Sequence, residues 1–147
     1  MKTSNKILLA ALILIMVFLT LSVALIRVNV FGNIITGDGD VRQENRTAET
    51  FDMIDVSGNF NVYYSQQSPA RIMVTADNNL LEHILTEIIN GELRIHTKER
   101  LDSDEMRIDV SSLDIRQIKT SAGANLYGQN TISSPVLSLL GSSGSLI

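Results

Sequence analysis

The chain has 147 residues, with 12 Lys and Arg against 16 Asp and Glu, and so carries a formal net charge of -4. This length is typical of one domain, and the acidic balance excludes a general binder of the nucleic-acid backbone, which needs a basic surplus. The chain has no cysteine, which excludes thiol catalysis, disulfide bonds, cysteine-based zinc sites and a lipidated cysteine.

The first element is an apolar segment over residues 7–26, in which 18 of 20 positions are apolar. A helix of this length spans about 30 Å, the thickness of a bilayer's hydrocarbon core. Two lysines lie within residues 1–6 and a single arginine follows the segment, a distribution that favours a cytoplasmic N-terminus. We therefore expect a transmembrane signal anchor, with residues 27–147 extracytoplasmic in the cell envelope.

The same segment permits two other interpretations. A cleaved signal peptide has a shorter apolar core of about 7–15 residues, but Ser22-Val23-Ala24 fits a cleavage site, so a secreted or periplasmic product cut near Ala24 remains open. A buried core helix is the third, although it would normally show a polar face. Both leading interpretations export the rest of the chain.

Residues 27–48 are predicted to be a linker, because they combine turn residues with a polar stretch that has no apolar periodicity. Gly37-Asp38-Gly39-Asp40 predicts a plain turn. It lacks the further spaced oxygen ligands and the terminal glutamate of a calcium-binding hand loop.

Alternating apolar residues begin near Thr50 and predict a series of short strands over residues 49–147. Asn90-Gly91 is the strongest local turn signal, since both residues tolerate positive φ. We expect Leu85 and Ile89 to continue the face that carries Leu93 and Ile95. The first apolar positions are Phe51, Ile54 and Val56, with Met53 as a weak member. Phe60, Val62 and Tyr64 follow on one face, and Ile72, Val74 and Ala76 alternate again.

An internal repeat distinguishes the second half of the chain. Residues 118–126 resemble residues 54–62. About 20 residues later, residues 139–146 show the same order of aliphatic residues around a run of small residues. Short strands with Gly and Ser corners at this step are typical of stacked β-coils. The pattern predicts an all-β fold, a right-handed parallel β-helix (solenoid) preceded by one hydrophobic helix; a β-sandwich with similar turns is the alternative.

Three motifs resemble those of a bacterial family called putative auto-transporter adhesin, head GIN domain. They are residues 51–62, the pair formed by residues 74–81 and 86–95, and the Ser-Ala-Gly-Ala corner within residues 118–126. The resemblance covers the chain from about Thr50 onward. It implies an exported protein, often from Bacteroidetes, with a right-handed β-helical fold and no catalytic residues. Because such domains usually continue through further coils, we expect the coil that ends at Ile147 to be incomplete.

The sequence offers no convincing catalytic or metal-binding set. His83 and His96 are not spaced as metal ligands, and alternation places His96 on the solvent side of a strand. Asp102, Asp104 and Glu105 could pair as acid and base for glycoside cleavage, but they lie in a charged segment that predicts a solvated loop. Gly123 and Gly128 do not form a phosphate-binding loop. We therefore expect no enzyme activity, no cofactor and no metal.

Tyr63-Tyr64 is the one candidate for ligand contact. Alternation places one ring in the core and leaves the outward ring to stack on a sugar. The sequence thus predicts an envelope module for adhesion-like binding or a structural role, whose partners are the membrane through residues 7–26 and a glycan or cell-surface protein. The alternatives are a carbohydrate-active enzyme and an envelope-sensing domain that acts through a membrane partner.

Overall fold

The structure is a computed structural model that describes residues 3–31 and 34–147, and within the helix the side chains of residue 7 and of residues 9–24. It divides into two compact units, Met1–Ile34 and Ile35–Ile147. The n-region expected over residues 1–6 and the arginine expected to follow the apolar segment lie outside the described side chains.

Helix α1 (Thr3–Phe31) makes up the first unit. Its described apolar side chains are exposed, from Ile7 to Val23. In the part of the chain whose side chains are described, no helical segment combines the length and the hydropathy of a membrane span.

The second unit contains the β-strands. The described residues form β1 (Ile34–Thr36), β2 (Val41–Arg46), β3 (Met53–Ser57), β4 (Asn61–Gln66), β5 (Arg71–Asp77), β6 (Ile84–Ile89), β7 (Glu92–Thr97), β8 (Arg100–Asp102), β9 (Arg107–Ser112), β10 (Gln117–Ser121), β11 (Asn125–Gly128) and β12 (Ser138–Gly141). A single 3-10 turn, Leu81–His83, precedes β6.

Two five-stranded sheets enclose one core. The first sheet has the order β12-β10-β3-β7-β6 and the second the order β11-β4-β9-β5-β2, while β1 and β8 form a separate two-stranded sheet. Alternate residues of both sheets point inward and are buried, as in Ile54 and Val56 of β3 and Val62 and Tyr64 of β4. The result is a β-sandwich-like fold, in which the period-2 pattern of each strand supplies one wall of the core.

The predicted right-handed parallel β-helix is therefore wrong. Strand β6 runs antiparallel to β7, and β5 runs antiparallel to both β9 and β2. The physical reason begins at the turn between β6 and β7, where Asn90 and Gly91 have φ values of 52° and 78°. Two consecutive positive φ values make a tight hairpin, which reverses the chain onto its own neighbour instead of advancing it by one coil.

The internal repeat corresponds to parallel neighbours within the two sheets. Ile118 pairs with Ile54, Leu126 pairs with Val62, and Leu139 lies beside Ile118 on the other flank. The repeat thus marks strands that pair in parallel, and such pairing does not require a solenoid. The antiparallel strands that complete each sheet carry no repeat signal.

Three segments differ from the expected loops, and the first is Ile34–Thr36, which forms β1 within the predicted linker. Within the predicted linker, Val41–Arg46 forms β2 and pairs antiparallel with β5 along six residues. Within the charged segment after residue 98, Arg100–Asp102 forms β8 and pairs with β1. Edge strands exposed on most sides need no apolar alternation, so their backbone pairing leaves little trace in the sequence.

Candidate functional site

The two neighbouring tyrosines of β4 point to opposite sides of the second sheet. Tyr64 is fully buried, and its hydroxyl lies 3.1 Å from the Ser112 hydroxyl oxygen. Burial raises the pKa of Tyr64, and the hydrogen bond with Ser112 partly offsets that effect. Tyr63 is half-buried on the outer face. The prediction that alternation separates these two rings is confirmed.

Tyr63 lies in the middle of a three-member stack on that outer face. Its ring centroid is 5.1 Å from that of Tyr127, with an interplanar angle of 23°. The Cζ atom of Arg107 lies 4.1 Å from the Tyr63 centroid, within the range of a cation–π contact. We call Arg107, Tyr63 and Tyr127 the tyrosine stack.

Sheet register explains the stack. Tyr127 of β11 and Asp109 of β9 are the direct parallel partners of Tyr63 on either side. Asp109 holds Arg107 in place, because its Oδ1 and Oδ2 accept hydrogen bonds from Nη2 at 2.7 Å and from Nε at 2.9 Å. These bonds raise the pKa of Arg107, so the guanidinium stays charged beside the ring.

The ring of Tyr127 is the exposed end of the stack. It is 43% exposed, and β11 is the edge strand of the sheet. Two residues earlier on the same strands, Asn125 and Asn61 are direct partners, and Asn125 Nδ2 donates a hydrogen bond to Asn61 Oδ1 at 3.3 Å. An aromatic face beside amide and guanidinium donors suits a ligand that has one apolar face and a hydroxyl-bearing edge.

The sequence pattern missed Tyr127 and Arg107 as partners of Tyr63. A usable signal was present for Tyr127: extending the repeat of residues 54–62 and 118–126 by one position places it beside Tyr63. Nothing in the local sequence signals Arg107, since its position over the ring depends on the parallel pairing of β4 with β9.

The histidines lie apart from this stack. His83 is half-buried, with Nδ1 3.3 Å from Glu99 and Nε2 3.7 Å from Glu82. His96 lies on the outer face of β7, opposite to the inward Leu93 and Ile95, as alternation predicts. Across residues 3–31 and 34–147, no three His, Cys, Asp or Glu side chains are grouped as metal ligands.

The acidic candidates for acid–base chemistry are exposed. Asp102, Asp104 and Glu105 all face solvent at and beyond the end of β8. The carbonyl of Asp102 accepts a hydrogen bond from the Gly37 amide at 2.9 Å, which is a structural contact of the backbone. The geometry gives these carboxyl groups no enclosed pocket.

The Gly37–Asp40 segment is a turn, as its composition predicts. It wraps over the buried carboxylate of Asp77, which accepts a hydrogen bond from the Gly39 amide at 3.0 Å. A Cβ at Gly37 would collide with that carboxylate, so only glycine fits the close approach. Gly123, with φ of 87°, lies in the corner before β11, and Gly128 ends that strand.

The fold and the stack define a class: an all-β domain with an exposed aromatic face on one sheet. Residues 50–147 match the family described as putative auto-transporter adhesin, head GIN domain, and the chain belongs to that family. No curated protein matches the sequence.

Solved structures from Parabacteroides and Bacteroides species share the fold. A putative adhesin from Parabacteroides merdae is 21% identical, with a TM-score of 0.68, over 75% of this chain and 47% of its own. A putative adhesin from Bacteroides fragilis is 15% identical, with a TM-score of 0.71, over 76% and 53%. A putative lipid binding protein from Parabacteroides distasonis is 20% identical, with a TM-score of 0.59, over 65% and 44%.

This chain spans about half the length of the solved structures it resembles. At these identities the likeness establishes the fold, and the family match establishes membership of the head GIN domain family.

Proposed function

We propose that the β-sandwich is an adhesion-like binding module of the cell envelope that contacts surface glycans without cleaving them. The observation that carries this proposal is the tyrosine stack, in which a held guanidinium and two parallel rings present an aromatic face at a sheet edge. Membership of an adhesin family supports a binding role at the cell surface.

The proposed site lies on strands whose packing fixes it in advance. Tyr63 alternates with the buried Val62 and Tyr64, so its backbone position is held by the core. Because the rings are already held in place, stacking on a saccharide costs little conformational entropy. A small contact area can therefore give measurable affinity. Many such modules on one surface would add affinity through multivalency.

We also propose that the module does not cleave the glycans that it contacts. Glycoside hydrolysis needs two carboxyl groups held across a scissile bond at about 5–9.5 Å, with one pKa raised by its surroundings. The candidates Asp102, Asp104 and Glu105 are solvent-exposed, and the nearest carboxylate to the tyrosine stack, Asp109, is engaged by Arg107.

We propose further that residues 7–26 attach this module to the membrane and leave the sandwich outside the cytoplasm. The support comes from the sequence, in which 18 of these 20 positions are apolar. The alternative of cleavage near Ala24 leads to the same compartment but releases the module.

Glycan binding by the full chain tests the function. The full-length protein in a detergent without a sugar headgroup is screened on an array of bacterial and host oligosaccharides, and the strongest ligand is titrated. Tyr127→Ala should weaken binding about tenfold, because it removes the exposed ring face, and Tyr127→Phe should preserve it.

Leu140→Ala is the matched control, since Leu140 is 49% exposed on a strand of the other sheet. It should bind as the parent protein does. Binding that Tyr127→Ala leaves unchanged would overturn the proposed site. Release of shorter sugars from any array polysaccharide would overturn the absence of catalysis.

A further inference from the structure

A cavity of about 500 Å³ opens at the end of the sandwich where β3, β7 and β10 begin. We call it the end cavity; Phe51, Asp52, Asn90, Leu113, Asp114 and Arg116 contribute to its lining. A smaller cavity of about 260 Å³ shares Asp52, Asp114 and Arg116 with it and continues to Ser133 and Ser134. The larger volume alone falls within the range of about 300–1,000 Å³ that is usual for ligand sites.

The three shared charged residues leave several polar atoms available. Asp52 Oδ2 forms a 2.7 Å ion pair with Arg116 Nε. Within residues 34–147, Arg116 pairs with no other carboxylate, and the carboxylate of Asp114 forms no ion pair. Guanidinium donors and carboxylate acceptors therefore line both cavities.

Hydrogen bonds hold the walls of the end cavity in place. Gln66 Nε2 donates to the carbonyls of Leu113 and Ser133, both at 2.9 Å, and so ties the two loops together. Ser112 Oγ donates to the Asp114 carbonyl at 2.9 Å, and the Arg116 amide donates to the Asp52 carbonyl at 2.8 Å. The site is preformed, which lowers the ordering needed on binding.

The cavity also has an apolar side. Leu113 is 63% exposed at the cavity, although it is a large aliphatic residue, and the buried Phe51 lies in the lining. An exposed leucine beside charged hydrogen-bonding groups suits a ring with one apolar face and a rim of hydroxyl groups.

Charge decides between ligand classes. An anion at Arg116 would lie beside the Asp52 carboxylate, and a cation at Asp114 would lie in a cavity that the Arg116 guanidinium also lines. A neutral polyol can donate to the carboxylates and accept from the Nη atoms without breaking the existing pair.

We propose that the end cavity binds one pyranose ring of a saccharide, with the next sugar residue extending into the smaller cavity. The inference rests on the proposed glycan binding and adds a second, separate contact site to the tyrosine stack. The stack would contact the chain of a glycan along an open face, whereas the end cavity would hold a single ring.

The test uses the full-length chain in the same sugar-free detergent, with the methyl glycosides of glucose, galactose and mannose as probes. Saturation-transfer NMR detects binding, and titration measures it. Asp114→Asn should weaken binding of the best methyl glycoside about tenfold, because a charged acceptor becomes a neutral amide. Asp114 is exposed and unpaired, so thermal unfolding should stay unchanged.

Asp104→Asn, a change of the same kind at another exposed carboxylate, is the matched control and should bind as the parent protein does. Tyr127→Ala should leave methyl glycoside binding intact while it weakens oligosaccharide binding. If the three glycosides fail to bind at millimolar concentration, or Asp114→Asn binds normally, the end-cavity inference is wrong. If oligosaccharides still bind through Tyr127 in that case, the proposed function stands.

Discussion

Glu92 shows how a single carboxylate can stabilise the outer face of the first sheet. Only 8% of the residue is exposed, although it lies at the start of β7 on the outer side. Its Oε2 accepts a hydrogen bond from Arg94 Nε at 2.8 Å, and its Oε1 accepts one from Lys119 Nζ at 3.0 Å. Glu92 thereby links β7 to β10 across the intervening β3.

Replacing Glu92 should destabilise the fold in a pH-dependent way. The Arg94 hydrogen bond, followed by the Lys119 hydrogen bond, holds the pKa of Glu92 below its ordinary value of 4.5. A lowered pKa favours folding above the unfolded-state pKa, and the contribution disappears as pH falls through the folded-state pKa. Glu92→Gln should therefore lower the free energy of unfolding by about 1 kcal/mol at pH 7, since both partners are partly solvated.

Urea unfolding at pH 7 and at pH 3 measures the effect. The difference between Glu92→Gln and the parent protein should shrink at the lower pH. Glu87→Gln, an exposed glutamate on the neighbouring β6, should change stability by less than about 0.5 kcal/mol at either pH. An equal loss at both pH values would show that the ion pairs are not the cause.

Strand β6 shows why alternation alone did not fix the register of an element. The sequence predicts that Leu85 and Ile89 share the face of Leu93 and Ile95, and this is wrong. Ile84 is fully buried, and Ile88 lies opposite the inward Leu93. Since this strand is apolar at both parities, the hairpin pairing decided which set faces the core.

Inward and outward residues of β6 should differ in how much their replacement by alanine destabilises the fold. Ile84→Ala should lower the free energy of unfolding by about 2–4 kcal/mol, because it leaves a cavity in the core. Ile89→Ala makes the same chemical change at a residue that is 40% exposed, and it should cost less than about 1 kcal/mol. Denaturant unfolding of the two variants compares them directly; the reverse order would support the register expected from sequence.

At the scale of the whole molecule, membrane fractionation tests whether residues 7–26 attach the chain to the membrane. Bacterial cells that express the full chain should keep it in the membrane pellet after an alkaline wash. Replacing Ile13 and Val17 with aspartate should release it, because each charge at the centre of a membrane helix costs about 2.5–3.5 kcal/mol. Replacing Thr3 and Asn5 with aspartate adds the same charge outside the apolar segment and should leave the chain in the pellet. A soluble product that begins just after Ala24 would instead support cleavage.

The sequence alone determined the alternating core positions of strands such as β3 and β4 and the parallel stacking of the repeated segments. Burial of every second residue of a strand follows from the local alternation of apolar and polar residues. The repeat predicts that Ile54 lies beside Ile118, because equivalent residues of parallel strands stack in register. The sequence also identified the family and predicted that Tyr63 and Tyr64 point to opposite sides of the sheet.

Only the tertiary structure decided how the sheets close and where the candidate sites lie. The antiparallel placement of β5, the pairing of the polar β2 and the position of Arg107 over Tyr63 all depend on contacts between distant segments. The end cavity likewise brings together Asp52 and Arg116, which are far apart in the chain. Such pairings follow from backbone hydrogen bonding and the packing of a shared core, which the local order of residues does not encode.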